Sequence, residues 1–226
     1  MKIVALTGAG ISAPSGLRTF RDSDGLWENH RIEDVATPAA WACNPELVLR
    51  FYNERRAQLG TVFPNAAHLT LAAWERDNEV VVITQNVDDL HERAGSTRII
   101  HLHGELVKAQ GTRSSSSVVN IGYAPINLGD TCPAGSQLRP HIVWFGEAVP
   151  AMSIAEKAME LADVVLVIGT SLQVYPAASL VNATPPKARR FLVDPNPGFA
   201  PPGYQVIAAS AEIGVPQIAS VLISAP

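Results

Sequence analysis

Cross-linking chemistry is almost absent from this sequence: only Cys43 and Cys132 occur among 226 residues. Two cysteines so far apart give no disulfide framework and suit a reducing compartment, so a cytoplasmic protein is expected. Long apolar runs are missing too. Stretches such as Val80 to Ile83 and Val164 to Ile168 have strand length and fall far below the ~20 residues that span a bilayer. No membrane association is expected, and no signal peptide, since the chain enters an apolar strand directly after Lys2. Charge is sparse, at 17% of residues, and carries no basic surplus, the formal net charge being −4. That balance excludes nucleic acid as a principal partner, while a basic protein tail stays compatible as a substrate. Hydrophobic residues make up 47% and prolines number 17, which describes a loop-containing globular chain rather than a disordered one. A chain of this length buries roughly 70% of its unfolded surface, as one large domain or one domain with a small insert.

What is present is an alternation. Strand-like apolar runs recur at Lys2 to Thr7, Glu79 to Thr84, Arg98 to Leu102, Asp163 to Gly169, Arg190 to Asp194 and Gln205 to Ala208. Helical patterns fall between several of them, at Ala66 to Asp77, Ile154 to Ala162 and Pro216 to Ile223, with Pro216 suited to a first helical position. Strands alternating with helices predict an α/β fold with a Rossmann-like, mostly parallel sheet covered on both faces, and ligands bound beyond the carboxyl ends of its strands. Two segments break the pattern: a helical one at 28–60 and a loop-like one at 107–140 containing Ser114 to Ser117. Both are expected to form a second, smaller inserted lobe, leaving 1–27, 61–106 and 141–226 as the nucleotide-binding domain.

The first strand runs into GAGISAPSGLRTFRDSDGLW, in which Gly8, Gly10 and Ala13 satisfy the G-x-G-x-x-G/A spacing of a dinucleotide turn. The expected helix does not follow, because Pro14, Ser15 and Gly16 intervene and the chain becomes a polar loop. The glycines alone are equally compatible with a plain strand-to-helix turn. Three further strands end in polar clusters: Gln85-Asn86-Val87-Asp88-Asp89-Leu90-His91, His101-Leu102-His103-Gly104 and Gly169-Thr170-Ser171. Amides and carboxylates there suit ribose hydroxyls and a carboxamide, and hydroxyls after a glycine suit phosphate or ribose. Singly, each cluster also fits a capping or turn device; together at one sheet edge they favour a nucleotide crevice.

The segments GAGISAPSGLRTFRD, TQNVDDLH, HLHGE, RPHIVWFGE and GTSLQVYPA, in this order, make the chain resemble the sirtuin family of NAD-dependent protein deacylases, specifically its small bacterial members. The resemblance runs from Lys2 to about Pro216. It implies that NAD is consumed as a co-substrate, that the substrate is an acylated-lysine protein or peptide, and that the products are nicotinamide, free lysine and O-acyl-ADP-ribose. It further implies that the polar loop covers the nicotinamide end, with Phe20 and Arg21 at its centre, and that Gly8, Ala9, Gly10, Ser12 and Ala13 line the cofactor. His103, directly before the glycine of HxHG, matches the general base; on a strand His101 would share its face, and only the motif separates them. His30, His68, His91 and His141 are expected to be structural. Asn86 and Asp88, with Gln85 beside them, match positions around the nicotinamide and its ribose. Gly169, Thr170 and Ser171 match the adenosine side and Ala211 a late position near the adenine, while Asp194 stands where most relatives carry Asn and puts cofactor affinity in doubt.

For the peptide, the family pairs substrate backbone with a short extended segment, here carrying Val143, Phe145 and Gly146. Residues 45 to 59 read as a helix capped by Asn44, with Val48, Tyr52, Arg55 and Leu59 on one stripe. Tyr52 and Arg55 match the Tyr-x-x-Arg signature of sirtuins that accept succinyl, malonyl or glutaryl lysine, so an acidic acyl group is expected over acetyl. Most sirtuins hold zinc between two Cys-x-x-Cys pairs; here Cys132 stands alone, with Gly111, Ser114 and Gly135 at the other positions, so no zinc is expected. A monomer is expected. The alternatives are a mono-ADP-ribosyltransferase and a weakly catalytic NAD-binding module.

Overall fold

A computed structural model describes residues 1–18, 26–27 and 30–223. In chain order, β1 spans Lys2–Thr7, β2 Leu26–Trp27 and β3 His30–Arg31. Helices α1 (Ile32–Val35), α2 (Pro38–Cys43), α3 (Pro45–Leu59) and α4 (Ala66–Trp74) follow, then β4 (Glu79–Thr84), α5 (Leu90–Ala94) and β5 (Ile99–His101). Next come β6 (Gly104–Gly111), β7 (Ser114–Asn120), β8 (Leu138–Ile142), α6 (Met152–Glu160), β9 (Val164–Ile168), β10 (Arg189–Val193), β11 (Gln205–Ile207) and α7 (Ala211–Ile223).

The six runs expected as strands form one sheet in the order β11-β10-β9-β1-β4-β5, and every pairing in it is parallel. Read from β5, this is the doubly wound order in which the chain reverses direction between β1 and β9, the place where such sheets open a ligand crevice. Apolar residues on both faces of each strand explain why the runs are continuous rather than alternating. One face, with Ile3, Ala5, Val82, Leu166 and Val193, packs on Ala67 and Leu71 of α4 and Val215 and Ile218 of α7. The other, with Val4, Leu6, Ile83, Val165 and Val167, packs on Ala155 and Met159 of α6 and on Ala177 and Leu180 of a 3-10 segment.

Three expectations are corrected. The segment 107–140 is loop-like only over 121–137: β7, β6 and β8 make a three-stranded antiparallel sheet, and Ser114 to Ser117 belong to β7. Backbone ladder bonds hold such strands whatever their side chains, so a serine run leaves no apolar signal. Pro216 does not begin its helix but lies inside α7, which starts at Ala211. An interior proline costs about 3 kcal/mol, offset here by the full burial of Val215 and Ile218 on the sheet. In the segment 28–60, helix begins only at Ile32, after β3 has paired antiparallel with β2. Its helices enclose a third core, where Val48, Tyr52 and Leu59 meet Leu90, Leu106, Ile142 and Trp144. Among the described residues no helix is long and apolar enough to cross a membrane.

Candidate active site

The carboxyl ends of β1 and β9 are closed on each other. Gly8 N–H donates to Ile168 O at 3.0 Å and Gly10 N–H to Gly169 O at 2.8 Å. A Cβ on Gly10 would lie 2.6 Å from Gly169 Cα, and one on Gly8 2.7 Å from Thr170 Cβ. The glycine spacing therefore serves, first, a backbone-to-backbone contact between two loops, a demand that spacing alone does not distinguish from close approach to a pyrophosphate. After Gly8 the chain makes two 3-10 turns, Ala9–Ile11 and Ala13–Ser15, and leaves through Gly16 at φ +97°. Ala9 is half-buried and Ala13 exposed, while Ser12 is buried.

Ser12 is the hub of the polar cluster. Its Oγ donates to Asp88 Oδ2 at 2.9 Å and accepts from Asn86 Nδ2 at 3.1 Å. Asp88 Oδ1 accepts from Leu90 N–H at 3.2 Å. Burial pushes the Asp88 carboxyl up to about 6, against the lowering effect of these two bonds. Gln85 bridges the crevice: its N–H donates to Thr7 O at 2.9 Å and its Nε2 to Thr170 Oγ1 at 3.1 Å.

The chain bends after His101, and this separates the two histidines that strand spacing leaves equivalent. His103 Nδ1 lies 2.9 Å from Gln85 O; a carbonyl only accepts, so Nδ1 carries the hydrogen and Nε2 keeps its lone pair. Burial holds this imidazole below its ordinary value. His101 instead places Nε2 2.6 Å from Glu92 Oε1 and 3.9 Å from Glu105 Oε1. Burial alone would lower His101, but the carboxylates win and raise it. Among the described residues Glu92, His101 and Glu105 are the one group whose metal-capable atoms converge, and these ion pairs, with Lys108 on Glu105, already engage them.

Residues 8–176 match the model of the Sir2 family. The chain belongs to the Sir2 family. An NAD-dependent protein deacylase of Helicobacter pylori is 52% identical over 211 residues, covering 92% of each chain. One of Bacteroides thetaiotaomicron is 47% identical over 231 residues, covering 99% of each. A solved Sir2 homolog–NAD complex is 38% identical with a TM-score of 0.85, covering 99% of this chain and 90% of that one.

Within this Sir2 chain the remaining expected residues fall into distinct settings. Thr170 and Ser171 are half-buried beside the Gly8 turn. Asp194 is 2% exposed and its Oδ1 accepts from Asn196 N–H at 2.9 Å, a turn-forming bond open to Asn as well. Ala211 opens α7 and packs in the sheet core with Ile11 and Val193. Phe20 and Arg21 lie outside the described residues. The expected extended segment ends early: β8 stops at Ile142, and the chain then turns, with Gly146 at φ +90°. Val143 N–H donates to His103 O at 2.9 Å and Phe145 N–H to Ala36 O at 3.0 Å. Trp144 is buried and Phe145 is 45% exposed, so only the first is an apolar anchor.

In α3, Asn44 caps through Leu47 N–H at 3.0 Å as expected. Tyr52 is fully buried and its hydroxyl accepts from Trp144 Nε1 at 3.1 Å; burial pushes that hydroxyl well above its ordinary range. The Arg55 guanidinium stacks 4.6 Å from the centre of the Phe51 ring and pairs with Glu54 at 3.7 Å. The fully buried cation of this helix is its neighbour Arg56, unremarked in the sequence. Its Nε donates to Leu106 O at 2.6 Å and its Nη1 to Asn53 Oδ1 at 2.7 Å, and burial lowers it to about 10. The i to i+4 spacing from Tyr52 was the available signal. Sequence reading also passed over Arg139, which grips Glu147 with two bonds of 2.9 Å and lies 3.7 Å over the Trp144 ring. At the degenerate zinc position, Cys132 Sγ is 3.2 Å from Ser136 Oγ. A Cβ at Gly111 would sit 2.8 Å from that sulfur, so one thiol with no room for a second side chain at that position does not fit a four-thiolate zinc.

Proposed function

We propose that this chain is an NAD-dependent protein-lysine deacylase that consumes NAD, favours succinyl or malonyl over acetyl lysine, and yields nicotinamide, free lysine and O-acyl-ADP-ribose. The observation that carries the reading is the tautomer of His103, whose Nδ1–H is committed to Gln85 O, leaving Nε2 as a neutral base at the crevice formed by the β1, β4 and β9 ends. In this reading Nε2 takes a proton from a ribose hydroxyl. Asn86 and Asp88, oriented by Ser12, receive the nicotinamide amide, with the Asp88 carboxylate accepting from its N–H. Gly8, Ala9, Gly10, Ala13, Gln85, Gly169, Thr170, Ser171, Asp194 and Ala211 belong to the same dinucleotide site, as do Phe20 and Arg21.

The name of the bacterial relatives, NAD-dependent protein deacylase, supports this, as do solved relatives described as complexes with ADP-ribose, with 2'-O-acetyl ADP-ribose and with a p53 peptide and NAD. Val143, Phe145 and Gly146 are the proposed peptide contacts. Exposure of Phe145 beside a glycine at positive φ is compatible with that role. Because the N–H groups of Val143 and Phe145 are committed within the chain, strand addition here would use carbonyls. Tyr52 and Arg55 are the proposed acyl-selecting pair. The proposal includes a cytoplasmic location, two lobes divided as 1–27, 61–106 and 141–226 against 28–60 and 107–140, and no zinc. Incubation with NAD and a succinyl-lysine peptide tests it by mass spectrometry. Loss of the acyl group from the peptide is expected; mass gained by a protein would instead mean ADP-ribosyl transfer, and neither change would leave a binding module.

A further inference from the structure

The Ser12 turn is held from two sides, and only one side belongs to the motifs that led to the site. On the inner side Gly10 bonds Gly169 and Ser12 bonds Asp88 and Asn86. On the outer side stands Asn65, in a segment that none of the five motifs includes. Its Nδ2 donates to Ile11 O at 2.8 Å and to Ser15 Oγ at 2.9 Å, one partner on each flank of Ser12. The other half of the same amide caps α4, with Oδ1 accepting from Ala67 N–H at 2.9 Å. Asn65 N–H is taken by His68 Nδ1 at 3.4 Å, closing a capping box. One side chain thus joins the start of a helix packed on the sheet core to the backbone that aims the Ser12 hydroxyl.

We infer that Asn65 is a positioning residue of the dinucleotide site: it holds the Ile11–Ser15 turn so that Ser12 keeps Asn86 and Asp88 in register to receive the cofactor. This rests on the NAD-binding reading above. Loss of the two Nδ2 bonds leaves His103 and its partners untouched, so the effect falls on binding of the dinucleotide rather than on the proton transfer. Capping is a separate function of the same residue, and the two are separable because both Asp and Ser cap helices well while neither supplies the Nδ2 donors.

The test compares the wild-type chain with Asn65→Asp and Asn65→Ser, measuring NAD affinity by calorimetry in the absence of peptide, KM for NAD and kcat with an acyl peptide, and the urea unfolding midpoint. In the variants binding must itself restore the turn, at a cost capped by the two lost neutral hydrogen bonds, about tenfold in affinity. Expected in both variants is NAD binding weakened by up to that factor, KM for NAD raised alike, kcat held, and an unfolding midpoint lowered modestly by the two lost bonds. Wild-type affinity in either variant would overturn the inference, as would an equal loss of affinity in Leu71→Val, which lowers the midpoint from the core of α4 without touching the turn. A wild-type chain that binds no NAD would overturn the functional reading and this inference together, whereas a binding wild type with unaffected variants overturns this inference alone.

Discussion

Burial disfavours the charged form of both Asp88 and His103, and so moves the two groups in opposite directions. Burial lifts the carboxyl to about 6 and lowers the imidazole, so at neutral pH Asp88 is ionised and His103 neutral. The acid limb of kcat/KM is therefore expected at about pH 6 and belongs to Asp88. The Ser12 bond lowers that carboxyl; in Ser12→Ala the limb moves to higher pH, and a limb that stays or moves down would refute the assignment. Arg55 offers a second residue-level test. A charge-assisted contact is worth about 1.5 to 3 kcal/mol, or roughly tenfold to over a hundredfold. The succinyl-to-acetyl ratio of kcat/KM should fall by that factor in Arg55→Met, and an unchanged ratio would remove Arg55 from acyl selection.

Between elements, α4 and α5 meet through two buried histidines. The rings of His68 and His91 lie 4.8 Å apart, and His91 Nε2 is 3.3 Å from Thr7 Oγ1 at the end of β1. Burial lowers His68 to about 4 and His91 well below its ordinary value. With folded values below the unfolded value of about 6.5, the unfolded chain binds more protons, so stability rises with pH. The contribution is complete above pH 6.5 and drains away as pH falls toward 4; for His68 alone it is of order 3 kcal/mol. Urea midpoints should fall between pH 7.5 and pH 4.5 more steeply in wild type than in His68→Gln; equal slopes would contradict the assignment. This pair also shows what sequence could not convey. Each histidine was readable as structural, but their contact joins residues 23 positions apart and needs the fold. Buried parallel strands, by contrast, announce themselves as unbroken apolar runs, which is why β1, β4, β9 and the apolar half of β10 were legible, while the flanking strands β5 and β11 showed only short ones. The sheet of β6, β7 and β8 was not, because its serine-rich edge strand β7 is specified by ladder bonds that leave no pattern in the side chains.

At the scale of the whole molecule, the site was legible where function follows directly from a strand end: Gly8, Gln85, Asn86, Asp88, His103 and Gly169 all lie within a few residues of β1, β4, β5 or β9. Its supports were hidden where they come from elsewhere in the chain, as with Asn65, Arg56 and the Arg139–Glu147 grip. The lobe built on α3 and β6–β8 is held by such supports, with Arg56 on Leu106 O and Asn53 on the backbone of Ile126, and its cysteine position has no set of thiolates for zinc. Chelator treatment should accordingly leave the melting temperature and NAD-dependent turnover unchanged, and a drop in either would show that metal is needed. The central claim, that a neutral His103 oriented by Gln85 drives acyl removal, is tested most directly by His103→Ala in paired measurements of succinyl-peptide turnover and ADP-ribose affinity. Expected is a loss of turnover by about 10²- to 10⁴-fold with binding retained; wild-type turnover in the variant would contradict it.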